Sequence, residues 1–370
     1  MKSGLKWRGL LAWGGLASLS VTLISYLALK DAGNSLTQAE RAYLQRQGSP
    51  GKTPAPPQWR FERALMGTHF KLLLVGGEAQ AAAEAAEHAF KEVARVEARL
   101  SSWRPNSEIS ALNRNAGGDL SPLSSETLAL LREAKEIALR SRGAFDPTWA
   151  AFKGLWDFRA QRLPSREAIH RARALVSYRA LELDLSGERA RLARAGMSID
   201  LGAIGKGYAI DRAALALKMA GWRNFTVDGG GDLYLSGRPS PERRWRIGVR
   251  HPRARKRVLF SLSLEDQAVA TSGDYERFFF KNGQRFHHII DLRTGYPAQG
   301  AVSVTLIGDR ALLVDAWATA LMVLGPREGL PLLEEQSGLY AVMMTREGQI
   351  LKSQSLPISF PSRWRGGEEE

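Results

Sequence analysis

Apolar positions recur with a helical period over Ala79–Arg99, an alanine-rich stretch, and again over Ser125–Arg140. Both predict amphipathic helices. Trp59–Val75 has strand composition, broken at Met66-Gly67-Thr68, where glycine marks a bulge or a close backbone approach. Ser101–Asn115 predicts a loop with one helical turn, and Gly143–Thr148 a turn closed by Pro147. Arg159–Leu192 is polar and predicts a helix followed by short strands. Met197–Asp200 reads as a buried strand ending in an acid, and Tyr208–Ala220 as a helix stopped by Gly221. Asn224–Asp228 and Leu233–Leu235 are strands on either side of Gly229-Gly230-Gly231-Asp232. Short β segments fill Trp245–Ile290, and Val302–Ile307 is another strand. Asp309–Leu324 is a helix apolar over most of its surface, and Leu339–Met344 with Gln349–Lys352 form a closing hairpin. There is no internal repeat. Strands that cluster late among separate helices point to an α+β fold rather than a doubly wound sheet.

The ends of the chain read differently. Lys2, Lys6 and Arg8 precede Gly9–Leu29, which carries no charge. A bilayer crossing needs about 20 apolar residues, so residues 1–30 are expected to be a signal anchor or signal peptide. The small residues Ser25 and Ala28 offer a cleavage site, but the length favours an uncleaved anchor. Residues 31–58 are then a polar segment and a Pro-rich linker, 59–356 a single catalytic domain, and 357–370 a solvated tail. With the basic end inside, the domain is expected on the outer, periplasmic side of the inner membrane.

Composition narrows the chemistry. The net charge is +14, which suits an anionic partner, yet no zinc-finger spacing or RNA-binding signature occurs, so nucleic acid is not expected. The chain has no cysteine, which excludes disulfides, thiolate metal sites, a cysteine nucleophile and a lipidated cysteine. Arg243–Arg257 is rich in arginine and reads as a solvated basic face near lipid headgroups.

Five segments carry candidate chemistry. Gly202-Ala203-Ile204-Gly205-Lys206-Gly207 opens a helix after Asp200. Free N–H groups at the positive end of a helix dipole hold anions, and Lys206 adds a point charge. The same residues also suit a plain strand-to-helix turn. Asp315 stands inside an apolar helical run, where an isolated charge costs several kcal/mol. Thr319 lies one turn on, so the pair offers oxygen ligands of the kind Mg²⁺ accepts; an ion-paired Asp and a Thr bonded to its own helix are the other reading. His287, His288, Ile290 and Asp291 end a strand before a Gly/Pro turn, which suits either a general base or a turn-bound histidine. Thr271-Ser272-Gly273-Asp274 is a hydroxyl-rich turn, and Trp103 is a loop tryptophan able to stack on a flat ring or to cap the core.

Taken in order, MGTHF, SSWRPNSEISALN, GAFDPT, SIDLGAIGKGYAID, VDGGGDLYLSG, TSGDYERFF, HHIIDLRTGYP and VDAWATALMVLG resemble the motif series of the ApbE family, the FAD:protein FMN transferases. The resemblance runs from about Trp59 to Lys352. It implies a T-fold-like α+β architecture and Mg²⁺-dependent cleavage of the FAD pyrophosphate. FMN then passes to a threonine of a target flavoprotein as a phosphoester, and AMP leaves. Targets would be subunits of membrane redox complexes of the Nqr and Rnf type. Carried over by position, the Ala203 carbonyl, Asp315 and Thr319 would hold the metal. Met66, Trp103, Ala144, Phe145, Asp146, Asp200, Lys206, Thr271, His288, Ile290 and Asp291 would contact FAD. His288 would activate the threonine, and Asp315 would be the second catalytic residue. A FAD pyrophosphatase of the same fold, or a membrane-tethered flavin binder without turnover, are the alternatives. Trp317, beside the metal position, is bulkier than usual in the family and is expected to affect pocket closure.

Overall fold

The computed structural model describes residues 55–254, 256–354 and 356, and the fold is that of the unit beginning at Pro56. The apolar segment Gly9–Leu29, the polar segment after it, most of the linker and the tail lie outside the described residues. Among the described residues no helix is long and apolar enough to cross a membrane.

The chain opens with a hairpin, β1 (Gln58–Leu65) and β2 (Thr68–Val75), in register from Gln58 opposite Val75 to Leu65 opposite Thr68. Met66 and Gly67 between them have φ of 52° and 71°. Positive φ at both positions is what the tightest hairpin turns require, so the interruption in the strand pattern is the turn itself. Helix α1 (Ala79–Leu100) lays its alanine-rich stripe and Phe90 on the core. Serines at residues 107 and 124 cap α2 (Glu108–Arg114) and α3 (Ser125–Arg140). Between these helices lies β3 (Ser121–Pro122); after α4 (Arg166–Ala174) come β4 (Leu181–Asp184) and β5 (Arg189–Leu192), which join β3 in a small sheet.

Met197–Asp200 does not form the expected strand. Its bridge among the described residues is the single pairing of Ser198 with Trp149. Asn113 takes the place of a neighbouring strand: its side chain accepts from the Ile199 N–H at 2.7 Å and donates to the Ile199 carbonyl at 2.9 Å. Helix α5 (Gly205–Met219) then starts at Gly205 rather than Tyr208, and Gly221, at φ 87°, ends it as expected.

The remaining strands are β6 (Phe225–Gly229), β7 (Asp232–Ser236), β8 (Trp245–Arg250), β9 (Val258–Leu264), β10 (Gln267–Gly273), β11 (Phe278–Lys281), β12 (Gln284–His287), β13 (Ile290–Asp291), β14 (Tyr296–Pro297) and β15 (Ser303–Gly308). Helix α6 (Ala311–Glu334) and the hairpin β16 (Tyr340–Met344) and β17 (Ile350–Lys352) follow. One eight-stranded antiparallel sheet runs β1-β2-β6-β7-β10-β15-β16-β17. Alternation assigns its faces: Phe70, Leu72 and Leu74 of β2 meet the helical core, whereas Leu73 and Val75 meet a second cluster under the β8–β9 hairpin. β15 has both faces covered and is buried at every position.

α6 runs through the core, buried nearly all round. Its regular part ends at Leu324. Gly325 (φ 70°, ψ 179°) kinks the helix, and it continues to Glu334, beyond the end the sequence pattern predicts. Trp317 is 1% exposed within the core and does not line the cleft described below. Its bulk fills the interior rather than shaping pocket closure.

Candidate active site

A cleft of about 1000 Å³ opens where the start of α5, the sheet and α6 meet. Ile204, at the cap position of α5, supplies no side-chain cap; the Gly205 N–H bonds to the Leu201 carbonyl at 2.6 Å, and the positive end of the helix dipole faces the cleft. Lys206 stands in this first turn. Asp315 reaches it from α6: its Oδ2 accepts the Gly207 N–H at 2.9 Å, and its Oδ1 lies 3.8 Å from Lys206 Nζ. The nearer partner of Lys206 is Asp232, at the head of β7. Asp232 and Asp315 are both 6% exposed. The buried acid of α6 is therefore paired, as its apolar setting demands.

In an uninterrupted helix the Gly207 N–H would bond to the carbonyl four residues back, that of Ala203. Here it turns to Asp315, which releases the Ala203 oxygen. Thr319 lines the same cleft, and its hydroxyl makes a long bond of 3.5 Å to the Asp315 carbonyl. A carbonyl, a carboxylate and a hydroxyl are hard oxygen donors, a set that fits Mg²⁺ when substrate phosphates and water complete the shell. Among the described residues no group of three or more His, Cys, Asp or Glu could hold a metal, so a cation here relies on oxygens of other kinds.

Trp103 also lines the cleft. Trp103 is 81% exposed. Lys153 holds its ammonium 4.3 Å from the centre of that ring, while contacting Asp200 and the Ser102 hydroxyl. Asp200 also accepts the Gly202 N–H at 2.8 Å, which ties the ring end to the glycine loop. Asp146 spends its carboxylate on the Thr148 N–H (2.8 Å), the Thr148 hydroxyl (2.7 Å) and the Tyr178 N–H (2.8 Å). Burial raises its carboxyl above the usual range, and these bonds pull it only part of the way back. Asp146 thus shapes the turn that brings Ala144 and Phe145 to the cleft. Met66 and Ile290 line it as well, and Thr271 shares a 3.0 Å hydrogen bond with Thr305 while its N–H donates to Asp232 at 3.3 Å.

His288 sits between β12 and β13, its N–H donating to the Arg277 carbonyl at 3.0 Å. Burial, then the neighbouring His287 and Arg277, push its imidazole down to about 4. Its Nδ1 is enclosed without a partner, which leaves Nε2 to the cleft. His287 points elsewhere, its Nε2 bonded to the Ala298 carbonyl at 2.9 Å. Asp291 is not brought into the cleft. Its carboxylate is held by the Arg293 guanidinium (2.9 Å) and N–H (2.9 Å), beside a neighbouring hollow.

Other cleft residues escaped the sequence reading: Lys153, Asp232, Arg250, Tyr275 and Arg277. Asp232 had a signal, an acid closing a run of glycines. Lys153 had none. Four cationic side chains and six carboxylates line the cleft, a formal balance of −2, in a chain of net charge +14.

The ApbE family model matches residues 66–344. A FAD:protein FMN transferase of Treponema pallidum is 34% identical over 286 residues, covering 73% of this chain and 79% of that protein. The crystal structure of the ApbE protein of Thermotoga maritima aligns with a TM-score of 0.74 at 31% identity, covering 80% of this chain and 97% of that one. The apo flavinyl transferase ApbE of Pseudomonas stutzeri aligns at 0.70 and 30% identity, over 80% and 94%. These structures share the mixed architecture of helices and strands described above, and on this ground the chain belongs to the ApbE family.

Proposed function

We propose that this chain is a FAD:protein FMN transferase that acts at the cleft between the glycine loop, Asp315 and His288. The observation that carries the reading is the meeting of a helix start bearing Lys206, an exposed tryptophan and a neutral histidine in one cleft. Its residues fit the two halves of FAD. Trp103 and the Gly143–Thr148 turn receive ring systems, and the first turn of α5 with Lys206 receives the pyrophosphate.

In the reaction, the hydroxyl oxygen of the acceptor threonine forms a bond to the FMN phosphorus. The bond from that phosphorus to the bridging oxygen breaks, and AMP leaves. The threonine proton passes to His288 Nε2 and from there to the leaving phosphate, so charge and protons balance. Catalysis of this kind rests on positioning and charge neutralisation more than on covalent chemistry. The cleft's formal balance of −2 opposes entry of an anionic pyrophosphate, so a divalent cation belongs to the proposal. The Ala203 carbonyl, Asp315 and Thr319 would hold Mg²⁺, which when bound neutralises phosphate charge.

The finer readings belong here too. The antiparallel sheet with helices on one face supports a T-fold-like description. The charge-free segment Gly9–Leu29 behind three basic residues supports an inner-membrane anchor and a periplasmic domain. That location would bring the cleft to flavin-carrying subunits of Nqr- and Rnf-type complexes.

The test is direct. The chain is incubated with FAD, Mg²⁺ and a candidate flavoprotein subunit, and the products are denatured and separated. Flavin fluorescence that stays on the subunit, and that disappears with Asp315→Ala, is the expected result. Free FMN and AMP with no labelled subunit would assign a pyrophosphatase instead. FAD left intact would leave only a binder.

A further inference from the structure

Helix α6 carries Asp315 and Thr319, yet its own start is chemically incomplete. The cap position is Arg310, with extended backbone and no side-chain cap. The cap position itself holds none of the Ser, Thr, Asp or Asn that normally satisfies the first N–H groups. The acceptor comes from another helix. Asp211 of α5 takes the Ala311 N–H at 2.7 Å on one carboxylate oxygen and the Leu312 N–H at 3.0 Å on the other.

This bond is the second rung of a ladder. Gly207 and Asp211 are one turn apart on α5, and Ala311 and Asp315 one turn apart on α6. The helices run antiparallel at this point, so Gly207 meets Asp315 while Asp211 meets Ala311 and Leu312. Between the rungs the two backbones touch. A Cβ at Gly207 would overlap the Ala311 carbonyl and come within 2.8 Å of Leu312 Cα.

We infer that Asp211 is a positioning residue for the transfer reaction. By capping α6 from α5, it fixes the spacing at which the glycine loop and Asp315 face each other. The inference takes as its starting point that the cleft is the site of transfer. Asp211 itself is absent from the cleft lining, and it acts only through the two helices it joins.

The setting supports a role beyond stability. The charged groups that face Asp211 are Arg310 at the start of α6 and Glu133 of α3, with Asp309 just beyond Arg310. Arg310 is itself held by Glu133, at 3.0 Å for one of its two contacts. Arg212, next to Asp211 on α5, is turned to Glu92. Burial raises the Asp211 carboxyl to about 6 in spite of its two N–H donors and Arg310. An acid whose folded pKa lies above its unfolded one lowers stability as pH rises through the interval. Ionised Asp211 at neutral pH is thus a burden on folding, the pattern of a residue retained for geometry.

The experiment compares the full chain with Asp211→Asn, which keeps size and one acceptor oxygen but presents an amide NH₂ to the second N–H. Amide exchange is followed at pH 7.5 without metal or FAD, and FMN transfer is measured separately. In the variant, exchange should rise about tenfold across 203–209 and 311–316 and stay unchanged in α3 and β15. Transfer kcat should fall at least tenfold, since small misplacements at reacting centres cost about that much or more, while KM for FAD moves less than about twofold. Exchange that rises at 311–312 alone with kcat unchanged overturns the inference, because Asp211 is then only a cap. A loss of kcat matched by faster exchange everywhere overturns it too. If Asn at 211 prevents folding, the unmutated chain supplies the test at pH 5, below the titration of Asp211. There the same two segments should exchange more slowly than at pH 7.5 after correction for intrinsic rates, because protonation removes the buried charge from this contact, and equal protection at both pH values overturns the inference. Metal dependence is scored separately by adding a chelator to the unmutated chain, so failure of the metal reading is distinguishable.

Discussion

At the scale of the residue, His288 would be an unusual base for the proposed transfer. The usual catalytic histidine has its second nitrogen oriented by a carboxylate or carbonyl. Here Nδ1 is enclosed with nothing to receive its proton. The tautomer needed for base action at Nε2 places a hydrogen on Nδ1, and a buried unpaired donor costs about 1–3 kcal/mol. The ring is therefore a weak base that stays neutral at physiological pH. His288→Ala should slow transfer by about 10²-fold or more while FAD binding changes little, and equal loss of both in parallel binding and turnover assays would remove the role. The titration has a sign for stability as well. The unfolded imidazole protonates near its ordinary value of 6.5 and the folded one near 4, so between these the unfolded chain binds more protons. Stability from this residue is present above about pH 6.5 and is lost as pH falls toward 4. Urea unfolding across that window should show stability rising with pH by on the order of 3 kcal/mol, a slope that His288→Gln flattens. Sequence alone could place His288 at a strand end, because the Gly/Pro turn after it is explicit. It could not reveal the enclosed Nδ1, which depends on packing by distant segments. Asp291 shows the converse. Its neighbourhood in sequence pointed to the cleft, but Arg293, two residues on, claims its carboxylate.

At the scale of the element, most helices and the main strands were legible because their apolar period or alternation is regular. α3 runs over Ser125–Arg140 as its pattern predicts. Met197–Asp200 was misread because a buried extended segment has the same composition whether its partner is a strand or a side chain, and Asn113 is the partner here. Asn113→Ala should cost about 1–3 kcal/mol through the two Ile199 groups it leaves unpaired, measured as a shift of the denaturation midpoint. The α5–α6 contact gives a sharper forecast. Gly207 was read as a loop glycine that lets an anion approach, whereas what approaches it is the Ala311 backbone. Gly207→Ala must force the helices apart, so overpacking should destabilise the chain by about 1–3 kcal/mol. Transfer should also fall, because the Gly207–Asp315 bond lengthens. Unchanged thermal stability would contradict this packing.

At the scale of the whole molecule, charge is unevenly spread. The chain is strongly basic, yet its cleft lining is acidic in balance. Composition therefore announced an anionic partner without saying that the cleft itself is acidic in balance. The N-terminal reading predicts that the full chain fractionates with membranes, whereas a chain beginning at Pro56 appears in the soluble fraction; both in the soluble fraction would refute the anchor. The eight-stranded sheet has one further consequence. Its strands are added almost in chain order, and the cleft draws on residues from Met66 in the first hairpin to Thr319 in α6. The cleft is not complete until residues some 250 positions after the first hairpin have folded against the sheet. Pairings so distant in sequence make for slow folding. If the proposed site holds, the chain stays inert toward FAD until nearly all of it has folded, and bound FAD would hold the first and last thirds of the chain together.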